Sequence, residues 1–233
     1  MAGSEEVAEL ALLLGLSVKK LKDEGAELRS GELIMVLSGS LRDILKAERV
    51  MLNVLSMASG IATTTRRVIV EARKVNPRIR VAATRKTAPF LRYLQKKAVM
   101  VGGGDPHRFS LSDAILIKDN HIRILGLEEA ITKAKAMASF VQRIEVEVSS
   151  PKEAVRAASL GVDIVMLDNF SPQSVRLADS LLRESKLREK VILEASGLIN
   201  EQNVALYAPY VDVISLGMLT HSFKAADISL EVR

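Results

Sequence analysis

Between Thr84 and His121 the chain gathers Arg85, Lys86, Arg92, Lys96, Lys97, Arg108 and Lys118, with His107 and His121, around Gly102-Gly103-Gly104. Most of these residues stand where short apolar runs end, so the cations lie where strands stop and loops begin rather than along one helix face. Cations collected at such ends are placed to hold a polyanion. Arginine grips a carboxylate or phosphate through parallel N–H bonds, and lysine adds a compact charge. Arg85-Lys86, His107-Arg108 and Lys118 occupy three successive ends of this kind.

Acidic groups appear further along. The run 144–148 alternates, with Glu145 and Glu147 on one face and Ile144, Val146 and Val148 on the other. Asp168 closes the next apolar run, 164–167. A carboxylate at a strand end can hold Mg²⁺ or ribose hydroxyls, or stabilise positive charge as it develops. Glu147 and Asp168 read as such groups; Glu145 stays open between that role and an ordinary outward charge. Two later runs end in Ala195-Ser196-Gly197 and Ser215-Leu216-Gly217. Small residues let backbone N–H groups approach a phosphate closely, and a short helix after Gly217 would point its N-terminus the same way. The chain has no Cys and no His-Glu-x-x-His string, and its triple glycine lacks the trailing Lys-Ser/Thr of a nucleotide-binding loop.

These residues need a frame. At 233 residues the chain suits one large domain, or one large and one small. A hydrophobic content of 48% is sufficient for a real core. Aromatics at 3%, with no Trp, argue against base-stacking platforms and so against nucleic acid. The net charge of +5 suits an anionic ligand without choosing one. The lack of Cys makes the cytoplasm the expected compartment. No apolar run approaches ~18 residues, so no membrane span is expected. Glu5, Glu6 and Glu9 precede the first apolar stretch, which reads as a helix over 4–14 and not as a signal peptide.

Strands are expected at 17–22 and 32–37. A helix is expected over 43–59, interrupted at Gly60 and the Thr63–Thr65 run, with a second helix to Val75 ended by Asn76-Pro77. Beyond Pro77 the texture changes to short β-branched runs at 79–83, 98–101, 114–117, 144–148, 163–167, 191–195 and 211–216, with helices at 127–139, 151–160 and 171–184 between several of them. Repeated strand–helix units imply a parallel sheet with right-handed crossovers. Their number and polar ends favour an α/β barrel, with an open doubly wound sheet as the alternative. The tail, 228–232, alternates again and could return to the first domain as an added strand.

Several strings are specific enough to carry a family resemblance: Glu48-Arg49, Leu52-Asn53, Ser59-Gly60-Ile61-Ala62-Thr63, Thr84-Arg85-Lys86-Thr87-Ala88-Pro89, Gly102-Gly103-Gly104, His107-Arg108, Leu116-Ile117-Lys118-Asp119-Asn120-His121, Glu145-Val146-Glu147-Val148, Leu167-Asp168-Asn169 and Gly217-Met218-Leu219-Thr220-His221. Over nearly the whole chain, in order, it resembles the quinolinate phosphoribosyltransferases, the decarboxylating nicotinate-nucleotide pyrophosphorylases. The resemblance implies an α/β fold: an incomplete barrel of six or seven parallel strands over 62–221, and a small, N-terminally shortened α/β sandwich domain over 1–61 to which 222–233 returns. It implies phosphoribosyl transfer from phosphoribosyl pyrophosphate to quinolinate, with Mg²⁺, releasing pyrophosphate and CO₂ and leaving nicotinate mononucleotide for NAD biosynthesis.

By the same resemblance Arg85, Lys86, His107, Arg108 and Lys118 bind the two quinolinate carboxylates. Arg49 reaches the site of the neighbouring subunit in a homodimer. Lys86 and Lys118 also meet phosphates. Glu147 and Asp168 hold Mg²⁺ or the ribose hydroxyls, and Ser196, Gly197, Gly217 and His221 hold the 5′-phosphate. Lys86, Lys118, Glu147 and Asp168 are the expected catalytic set. Two departures stand out. Leu198 follows Gly197 where the family usually has a second glycine, and could crowd the phosphate loop. The chain also begins at a stretch that family members reach only after some tens of residues. The alternatives are the molybdenum-transport-associated paralogue with a different acceptor, and a truncated, non-catalytic phosphoribosyl-binding protein.

Overall fold

The computed structural model describes residues 1–232. It divides into two compact units: Met1–Arg67 with Lys86–Pro106 and Met218–Arg233, and Val68–Arg85 with His107–Gly217. In chain order the first elements are α1 (Ser4–Leu13), β1 (Ser17–Lys20), β2 (Met35–Ser38), α2 (Leu41–Arg73), β3 (Arg80–Ala82), α3 (Arg92–Val101) and β4 (Ile115–Ile117). There follow α4 (Asp119–Leu125), α5 (Leu127–Met137), β5 (Ile144–Val148), α6 (Pro151–Ser159), β6 (Ile164–Asp168), α7 (Pro172–Glu184), β7 (Ile192–Ser196), α8 (Val204–Tyr207), β8 (Val213–Ser215) and α9 (Met218–His221).

In the first unit β1 and β2 pair antiparallel, Ser17 opposite Ser38 and Lys20 opposite Met35. Val7, Ala11 and Leu16 meet Ala47, Met51 and Leu55 of α2 in a small apolar core, and Met35, Leu37, Ile228 and Leu230 pack against it. Residues 223–232 add no strand; Ile228 and Leu230 insert into this core instead. Gly60 does not break α2. A Cβ there would lie 2.3 Å from Lys224 O and 2.9 Å from Ala225 Cα, so glycine lets the tail cross the helix closely. The run 98–101, expected as a strand, is instead the last turn of α3, with Gln95, Lys96, Ala98 and Val99 buried at helical spacing. Four apolar residues alone do not separate the two periods. The triple glycine ends that helix: Gly103, at φ +87°, donates to Met100 O and Gly104 donates to Val99 O.

The second unit is one parallel sheet of six strands in the order β3-β8-β7-β6-β5-β4. This is the incomplete α/β barrel that the family resemblance implies, at the lower of the two expected strand numbers. The local signals are plain. Ser150 and Ser171 cap α6 and α7 by accepting the N–H of the residue three further on, each with proline in the first helical position. Ala154, Ala157 and Ala158 in α6, and Val175, Ala178 and Leu182 in α7, form the buried stripes that cover the sheet. Asp163 and Asp212, each just before a strand, accept the backbone N–H of Ile144 and Leu193 on the neighbouring strand, both at 2.8 Å. These two carboxylates pin the register at the N-terminal ends and leave the C-terminal ends for other work.

Candidate active site

Because the strands are parallel, their C-terminal ends fall on one side of the sheet, and each carries a residue singled out above. Arg85 follows β3, Lys118 follows β4, Glu147 lies next to the end of β5, Asp168 ends β6, Ser196 ends β7 and Gly217 follows β8. Register places Asp168 opposite Ser196, and Ser196 opposite Ser215. The cations and carboxylates of this unit therefore share one rim.

Lys118 Nζ donates to Glu147 Oε1 at 3.1 Å, with the lysine side chain 54% exposed and the glutamate 13%. Asn169, at φ +56°, donates from Nδ2 to Asp168 Oδ2 at 2.8 Å, and its own N–H reaches Ser196 O. Gly197, at φ +112°, lies so close to Asn169 that a Cβ would sit 2.3 Å from Asn169 Oδ1. The glycine there is required by both conformation and space. Leu198 does not crowd this turn: its side chain is 81% exposed. Arg85 Nε is buried without an acceptor among the described residues, an N–H donor left for something the protein itself does not provide.

His107 and Arg108 enter by a different route. His107 has φ +52°, and its Nδ1 accepts the Arg108 backbone N–H at 2.8 Å. Its Nε2 lies 3.3 Å from Glu194 Oε2 and 3.9 Å from Glu145 Oε2. Glu145 is fully buried. Burial first, and the charge of Glu194 second, push its carboxyl up to about 7. Burial works against a charged His107, but the hydrogen bond and charge of Glu194, with the charge of Glu145, outweigh it and raise the histidine's pKa. Glu145 thus belongs to the interior. Glu194 was missed by sequence reasoning; the available signal was an acid inside the apolar run of β7, two residues before Ser196, as Glu145 stands two before Glu147.

Other members of the 84–121 cluster serve structure. Buried Lys96 donates to Pro106 O. Lys97 bridges Glu5 and Glu6 at 2.6 Å each. Arg92 donates to Thr87 Oγ1. His121 Nδ1 accepts the Lys118 N–H at 2.9 Å and so closes the first turn of α4. Arg49, Lys86 and His221 belong to the first unit. Arg49 is exposed on α2, Lys86 O accepts from Thr220 Oγ1, and His221 lies in the four-residue α9 beside Ser222.

A rim of guanidinium and ammonium groups beside two carboxylates and a small-residue turn, at the C-terminal ends of a parallel α/β sheet, has the chemistry to hold small anions. The family models agree. Residues 1–59 match the N-terminal domain of quinolinate phosphoribosyl transferase and residues 61–231 its C-terminal domain, and the chain belongs to that family. It is 48% identical over 235 residues to a probable nicotinate-nucleotide pyrophosphorylase (carboxylating) of Methanothermobacter thermautotrophicus, spanning all of this chain and 84% of that protein. It is 36% identical to the human nicotinate-nucleotide pyrophosphorylase (carboxylating), spanning all of this chain and 78% of that one. Among solved structures, NadC of Streptococcus pyogenes superposes with a TM-score of 0.88 at 41% identity, covering 97% of this chain and 79% of that one.

Proposed function

We propose that this chain joins quinolinate to the ribose of phosphoribosyl pyrophosphate and removes one carboxylate, yielding nicotinate mononucleotide, pyrophosphate and CO₂ in NAD biosynthesis. The carboxylating direction in the relatives' names is the same equilibrium written backwards. The observation that carries this reading is the rim itself: Arg85 with an unused buried donor, Arg108 and Lys118 suit a dicarboxylate, and Glu147 and Asp168 stand on adjacent strands. The C1–oxygen bond to pyrophosphate breaks as the pyridine nitrogen bonds to C1. Positive charge develops on the ribose in that step, and Glu147 and Asp168 stabilise it electrostatically. The nitrogen is then cationic, and the ring accepts the electron pair left when the adjacent carboxylate departs as CO₂; a proton replaces it.

Lys118 uses Glu147 Oε1 and Asn169 uses Asp168 Oδ2, which leaves Oε2 and Oδ1 as hard oxygen donors suited to Mg²⁺ shared with phosphates. Bound there, the ion would neutralise charge on the departing pyrophosphate. Ser196, Gly197 and Gly217 receive the 5′-phosphate through close backbone approach. Arg49, Lys86 and His221 take their part, including the supply of Arg49 across a homodimer, on the resemblance alone. The cations serve small anions rather than nucleic acid or a membrane surface, and the cytoplasm is the proposed compartment; no helix among the described residues is long and apolar enough to cross a membrane.

Incubating the protein with quinolinate, phosphoribosyl pyrophosphate and Mg²⁺ should form nicotinate mononucleotide. A folded protein that forms none refutes the assignment. Competition by phthalate, a dicarboxylate mimic, distinguishes quinolinate from the acceptor of a molybdenum-associated paralogue. Quinolinate binding without turnover would mark a non-catalytic relative.

A further inference from the structure

The His107–Glu145–Glu194 cluster lies outside the catalytic set, yet it is the most heavily buried ionisable group of the second unit. Each residue offers one atom within 4.8 Å of the others, which invites a reading as a cation site. Hydrogen bonding argues against that. A neutral imidazole that ligates through Nε2 must carry its proton on Nδ1. Here Nδ1 faces the Arg108 backbone N–H at 2.8 Å, so it is an acceptor and the proton belongs on Nε2. Nε2–H then points at Glu194 Oε2, 3.3 Å away. Both ring nitrogens are committed to the protein, and the residue lies in the left-handed region at φ +52°.

Resting on the proposed function, we infer that Glu194, backed by Glu145, is a positioning residue: through His107 it fixes the backbone of Arg108 and so aims the Arg108 guanidinium at the quinolinate carboxylate. The geometry links these groups by direct contact. Glu194 accepts from Nε2, Nδ1 accepts from Arg108 N, and Arg108 Nη1 is steadied by Ala114 O at 3.3 Å just before β4. Burial makes the chain stiff, with the His107 side chain 16% exposed and that of Glu194 2%. Glu145 stands behind as the second carboxylate; both of its oxygens are buried without a hydrogen-bond partner among the described residues, so it can take the Nε2–H when Glu194 is lost.

The test separates this chain of contacts from the function it serves. Ring-nitrogen NMR on the whole chain, at a pH above the titration of His107 and with the three histidines assigned by substitution, should show the neutral His107 ring protonated on Nε2 and bare on Nδ1. A proton on Nδ1, or a divalent ion retained by the purified protein and lost in Glu194→Ala, overturns the inference whether or not the enzyme turns over. Calorimetry with quinolinate then measures the consequence. Glu194→Gln, whose amide oxygen still accepts Nε2–H, should bind within about twofold of the parent, while Glu194→Ala combined with Glu145→Ala should bind about tenfold more weakly. Phosphoribosyl pyrophosphate affinity should stay within about twofold in both, a selectivity that general loosening of the barrel would not produce. In an Arg108→Ala background the acid-to-alanine changes should cost nothing further, because the path they act through is gone. Additive losses refute the positioning role. A parent protein that fails to bind quinolinate refutes the proposed function, and the NMR result still decides the contact chain.

Discussion

Lys118→Ala separates chemistry from stability most sharply. Lys118 Nζ is 3.1 Å from Glu147 Oε1, but its side chain is 54% exposed. A pair in that setting contributes about 0.2–1 kcal/mol, since water screens the attraction and ordering a long side chain opposes it. Removing it leaves Glu147, 13% exposed, with water able to replace the ammonium. For a chain of 233 residues a loss below about 1 kcal/mol lowers Tm by about 1–4 °C. The catalytic loss should be of another order. The ammonium group stands at a strand end beside Glu147, which on the proposed function meets the developing charge, and deleting one such preorganised donor costs about 10²–10³ in kcat. Calorimetric melting and a steady-state assay of nicotinate mononucleotide formation, on the same preparations, give both numbers. Lys118→Ala with more than a tenth of the parent kcat refutes the role given to Lys118. A Tm fall beyond about 6 °C would show that the pair is structural and that the electrostatic reasoning is wrong.

Three other outcomes are expected. Gly197→Ala forces a Cβ to 2.3 Å from Asn169 Oδ1 at a φ of +112°, and should cost about 2–4 kcal/mol in urea unfolding while raising KM for phosphoribosyl pyrophosphate; an unchanged KM would remove this turn from the phosphate site. Glu145, raised to about 7 from 4.5 by burial and by Glu194, binds its proton more tightly folded than unfolded. Stability from this group is therefore full below about pH 4.5 and is lost as pH rises through about 7, by roughly 3 kcal/mol at most, and His107, also raised, acts in the same direction. Glu145→Gln should flatten that slope in unfolding titrations between pH 5 and 8; an unaltered slope would show that the titrating group lies elsewhere. Arg49→Ala should abolish turnover if copies share sites, and mixing it with Lys118→Ala should then restore part of the activity; a fully active Arg49→Ala rules out the sharing.

Much of this was legible in the residues because local rules and function agreed. Ser150-Pro151 and Ser171-Pro172 announce two helix starts, and the alternating acids of Glu145-Val146-Glu147 announce a strand with one polar face. The strings around Arg85, Lys118 and Asp168 mark the ends of three apolar runs, and those runs are the strands β3, β4 and β6. Elsewhere local pattern was silent or misleading. The short run 98–101 gave no basis for choosing helix over strand, and Gly60 looked like a break because its reason, the tail crossing at Lys224, lies 164 residues away in the chain.

The sequence by itself determined which groups could do chemistry and the order of strands and helices that carry them, since both depend on residue type and short-range period. Only the tertiary structure decided which of those groups meet. An acid in a strand reads as an outward charge until packing buries the face that carries it. The packing on that face buried Glu145 and Glu194 against His107, and no spacing along the chain encodes it because their neighbours come from different parts of the chain. The same packing took Lys96 and Lys97 out of the cation cluster, turning apparent ligands into struts for Pro106 and for Glu5 and Glu6.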